Sequence, residues 1–274
     1  MTVIISIIII LAVLYLLAIM PRMVHKPDKT PFMGVLYAHR GLHDNEGDAP
    51  ENSLKASKKA IDRGFGVELD VQLTKDKIPV VFHDFTLKRV CGEEGKVSDY
   101  TYDELQQFHL YRSDEKIPRF EDFLKLADGK IPLIVELKIE WTDVSVCELA
   151  DRLLKEYKGA YCIESFNPLG LIWYKKHRKE VMRGQLSDVF KKENGLKGPL
   201  YFSLEHLLLN CVTKPDFIAY NHKYHRMPSR WICRRLFGNL AVAWTIKTQQ
   251  QLDMRKKDFD LFIFDSFIPE KRVK

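Results

Sequence analysis

The sequence predicts an α/β protein in which a (β/α)8 TIM barrel follows one N-terminal transmembrane helix. Short runs of β-type residues alternate along the chain with amphipathic, helix-like stretches, which is the pattern of a parallel barrel. The folded part would hold about 240 of the 274 residues, close to the roughly 250 that are typical of such barrels. An apolar content of 46% is ample for one large core and excludes a disordered or fibrous chain.

The first element is an apolar segment from Val3 to Met20 that contains no charged residue. A helix of this length would extend about 27 Å, nearly the thickness of the bilayer hydrocarbon. No basic stretch precedes the segment, and it does not close with small residues as the cleavage site of a signal peptide does. We therefore predict an uncleaved transmembrane anchor, residues 1–21.

The residues after the anchor predict its orientation. Four side chains that carry or can carry positive charge follow the span, and none precedes it: Arg22, His25, Lys26 and Lys29. The positive-inside rule therefore predicts a single-pass protein of the cell membrane whose folded domain lies in the cytoplasm. The five scattered cysteines indicate reduced thiols and the same compartment. A secreted protein with one unpaired cysteine is the alternative.

The remaining chain divides into a linker and one folded domain. Residues 22–34 contain prolines and charges but no helical or alternating period, which is typical of a linker. Residues 35–274 show no second break in composition. The net charge of +6 suits an anionic substrate or membrane surface. It is too small to indicate nucleic acid, so no nucleic-acid partner is predicted, and the oligomeric state is left undetermined.

Nine β-type runs occur in the predicted domain, one more than the barrel needs. They are Val35–Ala38, Gly66–Leu73, Pro79–Phe82, Leu133–Leu137, Tyr161–Ser165, Met182–Leu186, Phe217–Tyr220, Ala241–Ile246 and Leu261–Phe264. Only five residues separate the second run from the third, whereas a parallel crossover needs about a dozen or more. The third run is therefore predicted to form a small hairpin insertion after strand two. Eight barrel strands remain, with helical candidates such as Asn52–Arg63 between them.

Three carboxylates lie near the predicted C-terminal ends of the strands, where barrels carry their active sites. Glu68 and Asp70 are two residues apart on one strand and share a face, and Glu136 has the same placement on the neighbouring strand. Buried carboxylates need a compensating cation, and oxygen ligands favour Mg²⁺ or Ca²⁺ over zinc. We predict one such divalent cation. The alternative is that the carboxylates pair with Arg40 and Lys138 and bind no metal.

Two histidines stand beside these carboxylates in the predicted fold. His39 ends the first strand, and His83 ends the hairpin strand. One imidazole could remove a proton from an attacking oxygen while the other donates a proton to a leaving alkoxide, which is worth about 10²- to 10⁴-fold per step. Arg40, Lys138 and the metal would stabilise the extra negative charge of a phosphodiester transition state.

Six short motifs occur in the order typical of one enzyme family. They are His39-Arg40-Gly41, Pro50-Glu51-Asn52-Ser53, Glu68-Leu69-Asp70, Val80-Val81-Phe82-His83-Asp84, Thr86-Leu87-Lys88-Arg89 and Glu136-Leu137-Lys138. The sequence thereby resembles the glycerophosphodiester phosphodiesterases, over about residues 36–265. The resemblance weakens toward the C-terminus, and residues 187–224 match no motif of the family.

The resemblance implies a role for each candidate residue: catalysis by His39 and His83, metal binding by Glu68, Asp70 and Glu136, and phosphate binding by Arg40 and Lys138. Trp244, near the end of the seventh barrel strand, is predicted to form a wall for the glycerol moiety rather than to fill the core. The implied reaction is hydrolysis of a glycerophosphodiester to sn-glycerol 3-phosphate and an alcohol. The alcohol, the choice of Mg²⁺ or Ca²⁺ and the participation of a cyclic phosphate are left open.

Two other functions remain as alternatives. The same site could act on a lipid-derived diester such as a lysophospholipid, or on a glycerol-phosphate polymer, because the anchor would hold the barrel beside the bilayer. A catalytically silent, membrane-tethered binding protein is the other alternative, and the intact set of histidines and carboxylates argues against it. Two more histidines, His222 and His225, follow the sixth barrel strand. We predict that they lie in a solvated loop rather than at the substrate, since loops tolerate such residues freely.

Overall fold

The computed structural model describes residues 1–270, so the last four residues of the predicted domain lie outside it. Nine strands are present: β1 Leu36–His39, β2 Gly66–Leu73, β3 Pro79–Val81, β4 Leu133–Leu137, β5 Tyr161–Ser165, β6 Arg183–Ser187, β7 Phe217–Asn221, β8 Leu240–Ile246 and β9 Leu261–Phe264. Eight of them close into a barrel in which every neighbouring pair is parallel and β9 returns to β1. The predicted TIM barrel is confirmed, and each strand boundary agrees within one residue.

The ninth strand, β3, forms the predicted hairpin. It pairs antiparallel with the outer half of β2, with Val71 opposite Val81. The inner half of β2 pairs with β1 and β4 in the barrel, so the eight-residue strand extends beyond the barrel mouth. The insertion has its own apolar cluster, which includes Val80, Phe82 and Leu105. The hairpin is therefore a packed unit and can hold side chains in fixed positions over the mouth.

Twelve α-helices occur in the described residues. They are α1 Thr2–Ile19, α2 Leu54–Asp62, α3 Lys88–Cys91, α4 Tyr102–Leu105, α5 Phe120–Ala127, α6 Ser145–Leu154, α7 Pro168–His177, α8 Phe190–Glu193, α9 Pro199–Glu205, α10 Asn210–Thr213, α11 Pro228–Arg235 and α12 Gln249–Arg255. Local residue choices explain where several of them begin. The Ser53 side chain accepts a hydrogen bond from Ala56 N at 3.0 Å and caps α2, and Thr248 caps α12 in the same way.

The strands alternate between two apolar layers. One layer fills the space between the sheet and the helices and includes Val135 of β4. The other fills the lower interior of the barrel and includes Ile134 of the same strand. Because side chains alternate along a strand, the next inward-facing position after Ile134 is Glu136. The strand thus places an apolar residue at the base of the barrel and a carboxylate above it.

Helix α1 is, among residues 1–270, the one helix that is long and apolar enough to cross a membrane, a test that a signal sequence would also pass. Its first thirteen residues are exposed, whereas Ile19 is fully buried. In the segment predicted as a linker, Phe32 is buried with the apolar residues of the lower barrel interior. Its carbonyl oxygen accepts a hydrogen bond from the Tyr37 hydroxyl at 3.2 Å. The boundaries at residues 21 and 34 stay a prediction.

The prediction of a solvated loop is wrong for His222. His222 begins a short 3₁₀ helix, His222–Tyr224, and this histidine is only 6% exposed. Burial and the nearby charge of Arg255 lower the pKa of His222 to about 4. His225 is half-buried, and its Nε2 lies 3.3 Å from Nη1 of Arg255. Helix α12 therefore covers a stretch that has the polar composition of a loop.

Candidate active site

His39, Arg40 and Gly41 form the sharp turn that ends β1. The turn is closed by Arg40 N, which donates to the carbonyl of Glu68 on β2 at 2.8 Å. Gly41 has a φ of +85°, and a Cβ atom there would lie 2.8 Å from a backbone carbon of Ala56. Only glycine allows α2 to pack this closely against the turn. The local sequence thus sets the position from which His39 and Arg40 project.

Glu68, Asp70 and Glu136 converge inside the barrel mouth. The strand register places Glu68 beside His39 and Asp70 beside Glu136. One oxygen from each carboxylate lies within 4.8 Å of the other two, and all three residues are buried. Among the described residues, Glu68 Oε2 and Asp70 Oδ1 have no hydrogen-bond partner. Orphaned buried carboxylate oxygens at this spacing fit the ligand requirements of Mg²⁺ or Ca²⁺.

Two cationic side chains lie against the same carboxylates. Arg40 Nε is 3.3 Å from Asp70 Oδ2, and Lys138 Nζ is 2.9 Å from Glu136 Oε1 and 3.6 Å from Asp70 Oδ1. Burial opposes ionisation of Asp70, but the charges of His83 and Lys138 hold its pKa well below the usual range. Burial and the neighbouring carboxylate of Asp70 raise the pKa of Glu68. The ion pairs of Arg40 and Lys138 with Asp70 and Glu136 therefore form. They leave the negative charge of Glu68 without a close positive partner in the described part of the chain.

His39 is held between two carboxylates. Its Nδ1 lies 3.2 Å from Asp265 Oδ2, and its Nε2 lies 3.9 Å from Glu68 Oε2. Burial and the charge of Arg40 lower the pKa of His39 to about 4, so the ring is neutral near pH 7. Because an ionised carboxylate can only accept, the proton of the neutral ring is on Nδ1 and donates to Asp265. Nε2 is then free to accept a proton on the side of the carboxylate cluster.

His83 is placed by the hairpin rather than by a barrel strand. It forms a short hydrogen bond with Asp84 through Nδ1. Gln72, buried on the outer half of β2, donates from Nε2 to the carbonyl oxygens of Phe82 and Asp84, each at 2.8 Å. These two bonds span the backbone on either side of His83. Gln72 therefore ties the histidine to the barrel strand that carries Glu68 and Asp70.

Glu51 connects the barrel to the insertion. Its carboxylate accepts hydrogen bonds from Arg40 Nη1 at 2.7 Å and from Arg89 at 2.7 and 3.0 Å. Burial opposes ionisation, but Arg89 and Arg40 lower the pKa of Glu51 to about 2. Arg89 also donates to Asp84 at 2.6 Å, so one chain of ion pairs joins Arg40 on β1 to the hairpin. Sequence reasoning noted Glu51 only as part of a motif.

Trp244 lies on β8, across the mouth from the carboxylates, and is partly exposed. Its ring is 5.6 Å from Phe166, which is 6.0 Å from Phe190, and Phe190 is 5.5 Å from Tyr201. An aromatic row therefore leads from the mouth to helix α9. The role of Trp244 as a wall for a glycerol moiety stays a prediction.

Sequence reasoning missed three further residues at the site. Glu164 on β5 pairs in register with Glu136, is buried, and its Oε2 has no hydrogen-bond partner among residues 1–270. Asp265, just after β9, contacts both His39 and His43 Nε2, the latter at 3.0 Å. The alternation on β5 could have identified Glu164 as an inward-facing carboxylate. No local signal marks His43, because its partner lies more than two hundred residues away.

The sequence model of the Glycerophosphoryl diester phosphodiesterase family matches residues 39–265. The chain belongs to this family. A glycerophosphodiester phosphodiesterase of Caldanaerobacter subterraneus is 33% identical over 164 residues, which cover 56% of this chain and 66% of that protein. One of Bacillus altitudinis is 36% identical over 115 residues, which cover 39% of this chain and 46% of that protein. The chain thus spans about half to two thirds of the length of these relatives.

A solved structure of a family relative has the same fold. The phosphodiesterase of Oleispira antarctica, in complex with the product sn-glycerol-3-phosphate, aligns with a TM-score of 0.68 over 85% of this chain and 93% of its own. At 24% identity this likeness shows the fold alone. The predicted membership of the glycerophosphodiester phosphodiesterase family is confirmed by the family match over residues 39–265.

Proposed function

We propose that the chain hydrolyses a glycerophosphodiester to sn-glycerol 3-phosphate and an alcohol, with one divalent cation. The convergence of three buried carboxylates with His39 carries the proposal, because a cation site and a proton acceptor then lie side by side. Glu68 Oε2 is 3.9 Å from Nε2 of His39. Family membership supports the reaction type, and the product named for the Oleispira antarctica relative supports the substrate class.

The cation would be Mg²⁺ or Ca²⁺, held by Glu68, Asp70 and Glu136. When bound, it would supply Lewis-acid stabilisation of the phosphoryl oxygens. Arg40 and Lys138 border the same carboxylates and would bind the other oxygens of the phosphodiester through charge-assisted hydrogen bonds. Their positive charge would be most valuable as negative charge builds up at the transition state.

The two histidines would divide the proton transfers. Nε2 of neutral His39 would accept a proton from the attacking oxygen as the new bond to phosphorus forms. His83, on the hairpin, would donate a proton to the departing alkoxide as the other bond to phosphorus breaks. Each transfer is worth about 10²- to 10⁴-fold in rate.

A lysophospholipid is a second candidate substrate, and the aromatic row favours it. The rings from Trp244 through Phe166 and Phe190 to Tyr201 give an apolar path away from the mouth, with centroid spacings of 5.5–6.0 Å. Such a path suits the acyl chain of a lipid better than a small polar alcohol. Cleavage would then release lysophosphatidic acid and the headgroup alcohol.

Helix α1 is proposed to anchor the domain to the cell membrane, with the domain in the cytoplasm. Its apolar length and the basic residues after it support this topology. A cysteine introduced by Trp141→Cys in a Cys211→Ser background, in the exposed loop after β4, provides a test of the side on which the domain lies. A membrane-impermeant maleimide should label it in broken cells but not in intact ones. Equal labelling of intact cells would place the domain outside.

The enzymatic proposal is tested with the full-length chain in detergent micelles. Release of sn-glycerol 3-phosphate from glycerophosphocholine and glycerophosphoethanolamine is measured with Mg²⁺, with Ca²⁺ and with chelator. We expect release that needs one of the cations and that falls by at least about 10²-fold in His39→Ala. His109→Ala is the matched control, because His109 bonds to Ser113 O within the insertion and not at the site.

Lysophosphatidylcholine is assayed in parallel. If choline is released from this lipid and the small diesters are not cleaved, the lipid is the substrate and the proposed site stays the same. Absence of turnover on every substrate, together with calorimetric binding of glycerophosphocholine to folded protein, would overturn the enzymatic proposal in favour of a binding protein.

A further inference from the structure

The last turn of α1 is fixed to the barrel. Ile19 is fully buried, and its carbonyl oxygen accepts hydrogen bonds from Asn210 Nδ2 at 2.9 Å and Cys233 Sγ at 3.3 Å. Just beyond the helix, Nη1 of Arg22 is 3.4 Å from Asp216 Oδ1. These partners belong to α10, α11 and the segment before β7. The anchor therefore has a defined seat on one side of the barrel.

The length of α1 determines how close to the bilayer its seat on the barrel must lie. Eighteen residues give about 27 Å of helix, slightly less than the roughly 30 Å of bilayer hydrocarbon. The helix has no turn to spare, so its final turn must lie at the boundary between the hydrocarbon and the headgroups whenever it spans the bilayer. Because α10 and α11 pack against that same turn, they must lie there as well.

The surface around the seat has the composition that such a position requires. We call the outer face of residues 188–236, which includes α8–α11, the anchor flank. It exposes large apolar side chains on successive helices, among them Leu200 (54% exposed), Phe202 (58%), Val212 (46%) and Trp231 (55%). Tryptophan and basic residues beside apolar ones are typical of the membrane–water interface.

Charge separates the anchor flank from the opposite side of the barrel. Residues 188–236 contain nine lysines and arginines against four acidic residues, whereas residues 88–158 contain twelve against sixteen. The anchor flank thus carries most of the net charge of +6. A basic surface is attracted to anionic headgroups by about 1 kcal/mol for each basic side chain near the membrane.

We propose that the anchor flank lies on the anionic bilayer into which α1 inserts, with Trp231 and Phe202 among the headgroups. The barrel then rests on its side, and the loops after β4, on the opposite wall, point toward the aqueous phase. The inference rests on the proposed membrane insertion of α1 and is independent of phosphodiesterase activity. The aromatic row from the mouth ends at α9, on this same membrane-facing side.

Two exposed tryptophans make the orientation measurable. Trp231 lies on the anchor flank, and Trp141, in the loop after β4, is 82% exposed on the opposite wall. The full-length chain is reconstituted in vesicles of phosphatidylcholine and phosphatidylglycerol that contain brominated lipid. One variant keeps only Trp231 and the other keeps only Trp141, with phenylalanine at the other tryptophan positions. Flotation of the vesicles measures insertion, and quenching measures contact with lipid.

We expect both variants to float with the vesicles and Trp231 to be quenched several-fold more than Trp141, although Trp141 is the more exposed in water. In protein that keeps its other tryptophans, W231F should remove much of the quenching and W141F none, which guards against misfolding of the single-tryptophan variants. Flotation with equal quenching, or with stronger quenching of Trp141, would overturn the orientation alone. Failure to float would overturn the anchor and this inference together, and would leave the enzymatic proposal intact.

Discussion

The half of the barrel formed by β1, β2 and β4, together with the hairpin strand β3, carries seven of the eight predicted site residues, whereas the half formed by β6–β8 carries Trp244 and the seat of α1. The first half is held by short ion pairs between buried charges, such as Lys138 with Glu136 at 2.9 Å. The second exposes apolar and basic side chains on its outer helices. The proposed chemistry and the proposed membrane attachment are thus separated in space, and substitutions should affect one without the other.

The largest expected effect is at His83, in the catalytic half. His83→Gln removes the proposed proton donor, and turnover of glycerophosphocholine should fall by about 10²- to 10⁴-fold. Vesicle flotation should stay unchanged because the hairpin does not contact α1. His177→Gln, at an exposed histidine at the end of α7, is the matched control. A fall in turnover below about tenfold for His83→Gln would remove it from the catalytic pair.

A smaller loss of turnover is expected at Gln72. Gln72→Leu deletes the two hydrogen bonds that hold the backbone around His83, and misplacement of a catalytic group by about 1 Å can cost up to about 10²-fold. kcat should fall while KM changes little, because both hydrogen bonds from Gln72 Nε2 go to the backbone beside His83. Gln106→Leu deletes a similar bond, to the Ile117 carbonyl, and should leave kcat unchanged. A rise in KM alone for Gln72→Leu would contradict a positioning role.

Replacement of Glu51 should change the free energy of unfolding at acid pH and should leave membrane attachment unchanged. The Glu51 pKa of about 2 lies below the ordinary value of 4.5, so the stability that it contributes is present above pH 4.5 and is lost as the pH falls toward 2. The shift corresponds to roughly 3 kcal/mol in the free energy of unfolding. Urea unfolding in detergent should therefore depend less on pH between 4.5 and 2 in Glu51→Gln. Glu94→Gln, at an exposed ion pair, should leave the pH dependence unchanged.

The smallest effect is expected from single charges of the anchor flank. Arg235→Gln should weaken the attraction of the flank to anionic lipid by about 1 kcal/mol, or about fivefold. In the Trp231-only protein, more phosphatidylglycerol should then be needed for half-maximal quenching. Lys125→Gln, at an exposed lysine of helix α5, should have no such effect. Turnover of the soluble diester should stay at the wild-type level in both variants. A loss of turnover in Arg235→Gln would contradict the separation of the proposed chemistry from the proposed attachment.

The same division explains how much could be predicted from the sequence. All nine strands were predicted because short runs of β-type residues and the short gap before Pro79 are local signals. Glu68, Asp70 and Glu136 were recognisable because charged residues are unusual on buried strands. These features reflect residue type at a fixed spacing, which a single sequence displays directly.

Features that depend on distant contacts could not be predicted. Asp265 reaches His39 only because β9 closes against β1. His222 has the polar neighbours of a loop, but α12 covers it. The seat of α1 depends on Asn210 and Cys233, about two hundred residues from Ile19. In each case the informative residue is ordinary in its own segment and acquires a partner only in the closed barrel.

The burial of Ile19 has a consequence for how the protein is made. Its partners on α10 and α11 are synthesised long after α1 has emerged from the ribosome, so a helix inserted as proposed would enter the bilayer before its seat exists. Docking would then come late, when the last third of the chain has folded. Until that point Ile19 would have no barrel surface to pack against, and an incomplete domain would already be attached to the membrane.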